Sequence, residues 1–459
     1  MNRTASIITA VLASFLLPAV ASAQDQPWLK DRKYTEGIGA RVGDFELHPG
    51  LAAEFGYDSN YFLRGDKTIA QTGANESPAK ALKLRLTPSF SVSSLSPQRR
   101  QAAPGAPPPD VEFRGGISAT YNEFFPVSGT DAVKDLLRSQ RNVGGALDLA
   151  LSILPARPWS GVLSADLVRD VLPTNTGITE YSFNRVMPRG AAELAFQPGG
   201  GLFDWRLGYQ FSGTFFESSD LAGLTNLGHR IQTRGRWRFL PRTALVYDGR
   251  FDFISYPSKS VTSGLSGKTN SHPIRATFGL NGLITSSVAL TVMAGWGASF
   301  YEPKGQQDFD SVIGTAEVRW FLTPNPQSQP SAATLALSSL AVGFQRDFFD
   351  SYIGTYFERD RGYLNFSYFF GGRFLLMLDG GAAAIRYPTM TALNATKPFT
   401  DVRVDGSAFG ELRLADSFGI NATVRYAHNL SNTVINIGTG FDELQWQRFE
   451  TYLGVRWFL

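Results

Sequence analysis

Apolar and polar side chains alternate along most of this chain with a period of two. In the stretch 45–57, FELHPGLAAEFGY, the large apolar side chains fall on one face, whereas Glu46, His48 and Glu54 fall on the other. Such alternation predicts a β-strand with one apolar and one polar face. About eighteen segments of this kind follow one another to the C-terminus. Most are near the ~10 residues that a tilted strand needs to cross a bilayer. The alternation is weakest at 181–197, 335–347 and 361–370, where the predicted limits are expected to shift by several residues.

The connections between these segments alternate between short turns and longer polar loops. This arrangement is typical of a single closed antiparallel transmembrane β-barrel of about 18 strands, with turns in the periplasm and loops outside the cell. Two Pro-rich connections, 96–110 and 323–331, break the rule and are expected to be extended periplasmic insertions. The alternative all-β folds, a secreted sandwich or a propeller, would face polar side chains to water. The short turns are 154–158, 197–201, 240–242, 284–287, 371–373 and 415–417, and the long loops are 58–80, 122–140, 170–184, 216–228, 256–272, 388–399 and 429–443.

Aromatic side chains are concentrated at the two ends of the predicted strands. Two belts of rings at the two headgroup levels are expected of a membrane barrel, although any single ring could instead be ordinary sheet packing. Near the long loops the rings are Tyr57, Tyr61, Phe62, Phe124, Phe125, Phe215, Phe216, Phe253, Tyr256, Phe300, Tyr301, Phe348 and Phe349. Near the short turns they are Trp159, Phe203, Trp205, Trp237, Phe239, Trp320, Phe418 and Trp457.

The first 23 residues have the three-part pattern of a secretory signal. Arg3 precedes an apolar run that contains Pro18 and ends in Ala21-Ser22-Ala23. We expect cleavage after this box, with an uncleaved anchor as the alternative. The predicted organisation is a signal peptide at 1–23, a periplasmic N-terminal arm at 24–44 and an outer-membrane β-barrel at 45–459.

Composition agrees with an exported membrane barrel. Without residues 1–23 the chain carries 42 basic and 40 acidic residues, so a general attraction to nucleic acid is not expected. The chain contains no cysteine, and its stability must therefore come from something other than disulfide bonds. The mature sequence has no run of ~20 apolar residues, which excludes a transmembrane helix.

The sequence contains few groupings of residues that could perform chemistry. The four histidines, His48, His229, His272 and His428, lack the spacing of metal ligands, and a thiolate zinc site is impossible without cysteine. A Gly-x-Ser-x-Gly nucleophile motif is also missing. We therefore expect no catalytic residues, no metal, no cofactor and no enzymatic activity.

The polar strand faces, which a barrel turns inward, carry charges of both signs. A barrel of this strand number is wide enough for an aqueous channel. Each charge either pairs across neighbouring strands or, where arginines dominate, attracts an acidic or hydroxyl-rich solute. Two inward rings, Phe409 and Tyr452, could stack on sugars or serve only as packing. The basic pore-lining candidates are Lys83, Arg85, Arg114, Arg206, Arg230, Arg234, Arg236, Arg238, Arg250, Arg275, Arg319, Arg403, Arg413 and Arg425, and the acidic ones are Glu112, Asp204, Asp248, Asp252, Glu317, Asp405 and Glu411.

One segment, HRIQTRGRWRFLP at 229–241, mixes arginines with aromatic residues. Read as a strand, it places Arg230, Arg234, Arg236 and Arg238 on the inward face, while Trp237 and Phe239 face lipid beside a short turn. The inward arginines form a candidate anion-attracting stripe. The alternative role of this stripe is ion pairing within the wall.

The two ends of the predicted barrel match known outer-membrane patterns. The final YLGVRWFL is similar to the C-terminal signal that the barrel assembly machinery recognises, with Leu459 in place of the usual Phe. The stretch RVGDFELHPGLAAEFGYDSNYF at 41–62 resembles the start of a family of outer-membrane β-barrel porins associated with exopolysaccharide export. The matching positions are Arg41, Gly43, Phe45, Leu47, Pro49, Gly56, Tyr57, Asp58 and Asn60.

This resemblance implies a location in the bacterial outer membrane and a role in polysaccharide export. It covers the first strand and the start of its loop, and the family offers no catalytic residues to transfer. The first functional hypothesis is a passive conduit for a secreted exopolysaccharide, driven by periplasmic and inner-membrane export partners. The second is a general or substrate-selective diffusion porin for small nutrients. The third is a structural or adhesive barrel that acts through its external loops.

Overall fold

The computed structural model describes eleven stretches of the chain. The predicted signal peptide, most of the predicted periplasmic arm and nearly all of both Pro-rich connections lie outside the described residues. The described residues are 39–65, 78–94, 109–171, 184–199, 201–258, 268–302, 307–322, 338–351, 355–389, 397–437 and 440–459.

Eighteen antiparallel strands form one closed barrel, which confirms the predicted fold. Each strand pairs with the next along the chain, and the last strand pairs with the first long one, so the sheet has no open edge. The barrel strands are β2 (Phe45–Asp58), β3 (Ala81–Ser94), β4 (Val111–Pro126), β5 (Asn142–Ile153), β6 (Trp159–Val171), β7 (Asn184–Phe196), β8 (Phe203–Phe216), β9 (Asn226–Leu240), β10 (Thr243–Ser255), β11 (Ser271–Leu283), β12 (Val288–Tyr301), β13 (Phe309–Phe321), β14 (Ser339–Asp350), β15 (Tyr356–Phe370), β16 (Phe374–Tyr387), β17 (Phe399–Ala415), β18 (Phe418–Leu430) and β21 (Trp446–Phe458).

Three further strands lie outside the barrel wall. The short β1 (Ala40–Val42) pairs with the start of β2. The hairpin of β19 (Val434–Ile437) and β20 (Gly440–Glu443) lies in the loop between β18 and β21. The three weakly predicted strands are present at 184–196, 339–350 and 356–370, so the last of them begins five residues earlier than predicted.

A short helix is present where the sequence analysis predicted a polar loop. Helix α1 spans Asp131–Ser139 after β4, and a 3₁₀ helix spans Ser219–Leu224 after β8. The side chain of Thr130 caps α1 by accepting a hydrogen bond from the backbone N–H of Val133, and Asp131 and Arg138 complement the helix dipole. None of the helices in the described ranges combines the length and hydrophobicity that a bilayer-spanning helix requires.

The outer surface of the barrel is apolar, and its rings follow the predicted belts only in part. At the short-turn end, Trp159, Trp237, Trp320 and Trp457 are exposed on the outside. At the long-loop end, the rings divide between an outer set and a buried set. Phe125, Phe215, Phe253 and Phe300 are exposed, whereas Tyr61, Phe62, Phe124, Tyr256, Tyr301 and Phe348 are buried. The prediction that the second set forms a membrane belt was wrong, because these side chains pack within the barrel mouth or between strands.

Closure of the barrel depends on the pairing of β2 with β21. The register runs from Gly50↔Phe458 to Asp58↔Glu450, and the backbone N–H of Leu459 extends it by donating to Pro49 O at 3.1 Å. At the other end of this seam, the fully buried Asp58 accepts from Arg448 Nε at 3.0 Å and lies 3.6 Å from Lys83 Nζ. An ionic cluster therefore joins strands from both ends of the chain.

Replacing Asp58 by Asn should destabilise the barrel strongly. The substitution removes the negative charge between two buried cations, and breaking a buried ion pair costs about 3–5 kcal/mol. Urea unfolding in detergent, followed by the change in gel mobility between folded and unfolded barrel, measures the loss. Asp135→Asn, whose carboxylate pairs with Arg138 on the exposed surface of α1, is the matched control and should have little effect. Equal destabilisation by both variants would contradict the role of this cluster.

Candidate functional site

The inner wall between β7 and β10 carries a ladder of ion pairs. Strand pairing places Asp204 opposite Arg236 and Arg206 opposite Arg234, all on the inward face. Arg206 bridges Glu193 at 2.9 Å and Asp204 at 3.1 Å, and Arg234 binds the other oxygen of Glu193 at 2.6 Å. These side chains are between one-seventh and one-quarter exposed, so water reaches the ladder.

The predicted arginine stripe belongs to this ladder and is largely neutralised. Arg230 binds Asp252 at 2.5 Å and Arg236 lies 4.0 Å from Asp204. Arg238 is the member of the stripe without a carboxylate at ion-pair distance in the described part of the chain. The wall-pairing interpretation therefore accounts for three of its four arginines.

Most of the other predicted pore-lining residues on the inward face also have partners there. Arg250 donates to Asp248 at 2.6 Å, Arg319 to Glu317 at 2.9 Å, and Arg413 to Glu411 at 3.4 Å. Arg275 reaches Asp252 at 3.7 Å. Arg425 lies opposite Glu450 in the ladder of β18 and β21, and Glu112 and Arg114 lie on β4, where Arg114 is exposed.

Lys83 and Arg85 are not exposed to an open lumen. Each has 2% of its surface exposed. Arg85 lies 3.6 Å from Glu54 and 3.7 Å from the ring centre of Tyr452. Lys83 lies 5.1 Å from the ring centre of Tyr61. Both residues belong to the buried cluster that includes Asp58. Lys83 and Arg85 therefore do not line a pore, as was predicted, but form part of a buried ionic cluster.

An apolar cap covers this cluster at the loop end of the barrel. Tyr61 and Phe62 follow β2, fold back over the wall and pack against Phe124 of β4 and Val133 and Leu137 of α1. Burial raises the pKa of the Tyr61 phenol, which therefore stays protonated at physiological pH. Side chains from the first loop and from the helix thus form one apolar cluster at the loop end of the barrel.

The two aromatic residues proposed to stack on sugars are inaccessible. Phe409 is 3% exposed and packs with Ala52 and Leu375, and Tyr452 is 1% exposed beneath Arg85. In both positions the ring packs against other side chains of the barrel interior. The hypothesis that these rings bind a polysaccharide is therefore wrong.

Three arginines lie close together on β15 and β17 of the inner wall. Arg361 and Arg403 lie in one row across Ala383 of β16, and Arg359 is two residues from Arg361 on the same face. The Arg361 side chain lies across Gly381, where a Cβ atom would approach its Nε to 2.8 Å. Small side chains on β16 thus provide a floor on which the guanidinium group lies.

Within this arginine cluster the three members differ in their partners. Arg361 binds Asp405 at 2.5 Å and lies 3.6 Å from Asp379. Arg359 instead contacts the amide oxygen of Gln345 at 3.5 Å, and Arg403 that of Asn429 at 3.3 Å. In the described ranges, neither Arg359 nor Arg403 has a carboxylate at ion-pair distance. Carboxylates lie farther away, with Asp347 and Asp405 acting on Arg359 and Asp401 on Arg403, so the two arginines are only partly compensated.

Arg403 and Asp405 were among the predicted pore-lining residues, whereas Arg359 and Arg361 were not. The predicted strand began at 361, which left Arg359 in a loop, whereas β15 begins at Tyr356. The alternation Arg359, Arg361, Tyr363 was the signal that would have placed them inside. Among the described residues, no group of three or more histidines and carboxylates is arranged to hold a metal ion.

The geometry defines the class of this protein. A closed sheet satisfies its backbone in hydrocarbon, the exterior is apolar and the interior is charged. The chain is an outer-membrane β-barrel protein and resides in the bacterial outer membrane.

Comparison with known proteins yields distant structural likenesses. No protein-family model matches the chain, and no curated protein matches its sequence. OccK5 (OpdH) of Pseudomonas aeruginosa is 11% identical, covering 90% of this chain and 98% of that one, with a TM-score of 0.43. The siderophore receptor PirA of the same organism is 11% identical, with coverages of 91% and 81% and a TM-score of 0.40. A bacterial polysaccharide outer membrane secretin is 10% identical, with coverages of 89% and 97% and a TM-score of 0.32. Likenesses this distant say nothing about what this chain carries.

Neutralising Arg359 and Arg403 together should shift ion selectivity toward cations. At about 10 Å in a water-like dielectric each charge changes the energy of a permeating ion by roughly 0.4 kcal/mol, with opposite sign for an anion and a cation. Each charge therefore changes the anion-to-cation permeability ratio about fourfold, and R359Q/R403Q should lower this ratio by up to about sixteenfold at low salt. Reversal potentials in planar bilayers under a salt gradient measure this change. The control R250Q/D248N removes an ion pair without altering the net charge and should leave the reversal potential unchanged. The same shift in both variants, or no shift in either, would contradict the assignment.

Proposed function

We propose that this barrel is a passive outer-membrane conduit for a secreted exopolysaccharide that carries acidic groups. The observation that supports the proposal is that Arg359 and Arg403 on the inner wall bind neutral amide oxygens and have no carboxylate at ion-pair distance in the described ranges. Guanidinium groups bind carboxylates with planar, charge-assisted hydrogen bonds. An acidic sugar chain therefore has attractive groups on β15 and β17 that a neutral solute does not use.

The remaining inner wall suits a hydroxyl-rich polymer. Guanidinium groups in the ladder between β7 and β10 have N–H donors left over after their ion pairs form, as Arg206 and Arg234 illustrate. Such donors bind hydroxyl groups singly and weakly. Conduction requires weak binding at several successive positions, because a tightly held cargo would not leave.

The barrel has no energy source of its own in this proposal. Export partners in the periplasm and inner membrane would drive the polymer, and the barrel assembly machinery would insert the chain through its C-terminal strand. The wall would contribute hydration, hydrogen bonds and charge. Outer-membrane lipid would contact the apolar exterior.

A second candidate function is diffusion of small acidic nutrients. It is supported by Arg359 and Arg403, which have no carboxylate at ion-pair distance in the described ranges. The same arginine cluster would then select carboxylate-bearing solutes during uptake.

Deletion of the gene should lower extracellular polysaccharide and leave the polymer in the periplasm. Plasmid-borne wild-type protein should restore secretion, R359Q/R403Q should restore only part of it, and R250Q/D248N should restore it fully. Quantification of acidic sugar in culture medium and periplasm measures these outcomes. Wild-type secretion in the deletion strain, together with slower uptake of small organic acids, would reject export and support the diffusion porin.

A further inference from the structure

The seam between β13 and β14 is hydrogen-bonded along only part of its length. β13 pairs with β12 along its whole length up to Phe309, and β14 pairs with β15 up to Asp350. The pairing between β13 and β14 stops at Gly314↔Arg346. At the loop end, the segments 309–313 and 347–350 are therefore not paired with each other. Each is still paired with its other neighbour, the first with β12 and the second with β15.

Side chains satisfy the backbone groups along this gap. The N–H of Phe348 donates to its neighbour's carboxylate, Asp347 Oδ1, at 2.8 Å, and the carbonyl of Phe348 accepts from Arg275 at 2.6 Å. On the opposite side, the carbonyl of Val312 accepts from Arg346 Nε at 3.0 Å. The partners of these backbone groups are thus side chains and not the neighbouring strand.

Arg346 joins the two sides of the gap. Toward β13 it reaches Val312 O and also Ser311 Oγ at 3.1 Å. Toward β15 it lies 2.9 Å from Glu358 and 3.3 Å from Asp360. One guanidinium group thus occupies the place of the missing ladder and connects β13 with the hairpin of β14 and β15.

An apolar cluster fills the rest of the gap. Alternation would point Phe348 to lipid beside the exposed Phe344, but Phe348 is 1% exposed and its ring lies 4.2 Å from that of Phe309. Ile313, Tyr301 and Tyr356 complete the cluster. On the outer face of the seam, Val312 is 65% exposed. Only the unpaired strand segments therefore separate the outer surface from the buried cluster.

We propose that this seam is a lateral site at which the alkyl chain of a membrane amphiphile passes between the outer leaflet and the barrel interior. The backbone bonds that would prevent separation are missing, the side chains that replace them can move, and the residues behind them are apolar. Charged groups of the inner wall, Arg275 and Asp347, lie at the inner edge of the seam, where they suit a polar headgroup. This site does not rest on the polysaccharide proposal, although its Asp347 lies opposite Arg359 of the arginine cluster in the ladder of β14 and β15.

Photolabelling in nanodiscs tests the proposal directly. The probe is a single-chain amphiphile with a terminal diazirine, and mass spectrometry locates the adducts. In the wild-type protein, adducts are expected on the buried residues Ile313 and Phe348 as well as on lipid-facing residues. Adducts confined to outward residues such as Val312 and Phe344 would overturn the proposal.

Two variants sharpen this experiment. Arg346→Ala removes two charge-assisted hydrogen bonds to β13, and should raise the yield of adducts on Ile313 and Phe348 about tenfold. Arg386→Ala removes another arginine that pairs with Glu358 and Asp360 but does not bond to β13, and should label like the wild type. Gel mobility before and after heating shows that each variant is folded. A yield that is equal in both variants would also overturn the proposal, and the wild-type adduct positions decide the question if Arg346→Ala does not fold.

Discussion

The whole structure depends on the requirement that backbone hydrogen bonds be satisfied in hydrocarbon. A sheet in lipid must close on itself, and in this chain closure joins β2 near the start of the described residues to β21 at the end. Once the sheet is closed, alternation gives every strand one face for lipid and one for the interior. The apolar exterior, the charged interior and the buried cluster around Asp58 all follow from this arrangement.

The interior solves a second problem, which is how to keep many charges within one wall. Most arginines face a carboxylate on the same or a nearby strand, as Arg206, Arg234 and Glu193 do, so the charges largely cancel locally. Cancellation leaves the wall hydrated without a strong net field. The arginine cluster on β15 and β17 is distinctive because Asp405 and Asp379 compensate Arg361, whereas Arg359 and Arg403 rely on neutral amide oxygens.

The fold could be predicted from the sequence because period-two alternation is a local property that survives without knowledge of neighbours. The candidate site could be predicted only in outline. Ion-pair partners depend on strand register and on side chains that reach across an intervening strand, as in the contact of Arg361 with Asp405. Rings at strand ends, such as Tyr61 and Phe348, turn inward where a loop folds back or a ladder ends, and alternation carries no sign of either event.

The three contacts of Arg275 give it a place in two systems at once. It binds Asp347 at 2.9 Å and the carbonyl of Phe348 at 2.6 Å, and lies 3.7 Å from Asp252, the partner of Arg230 in the lumen ladder. Electrostatics of the lumen and hydrogen bonding of the seam are therefore thermodynamically linked through one side chain. An anion that draws Arg275 toward the lumen weakens its bond to the seam, and by reciprocity a loosened seam increases the affinity of the lumen for that anion by the same factor.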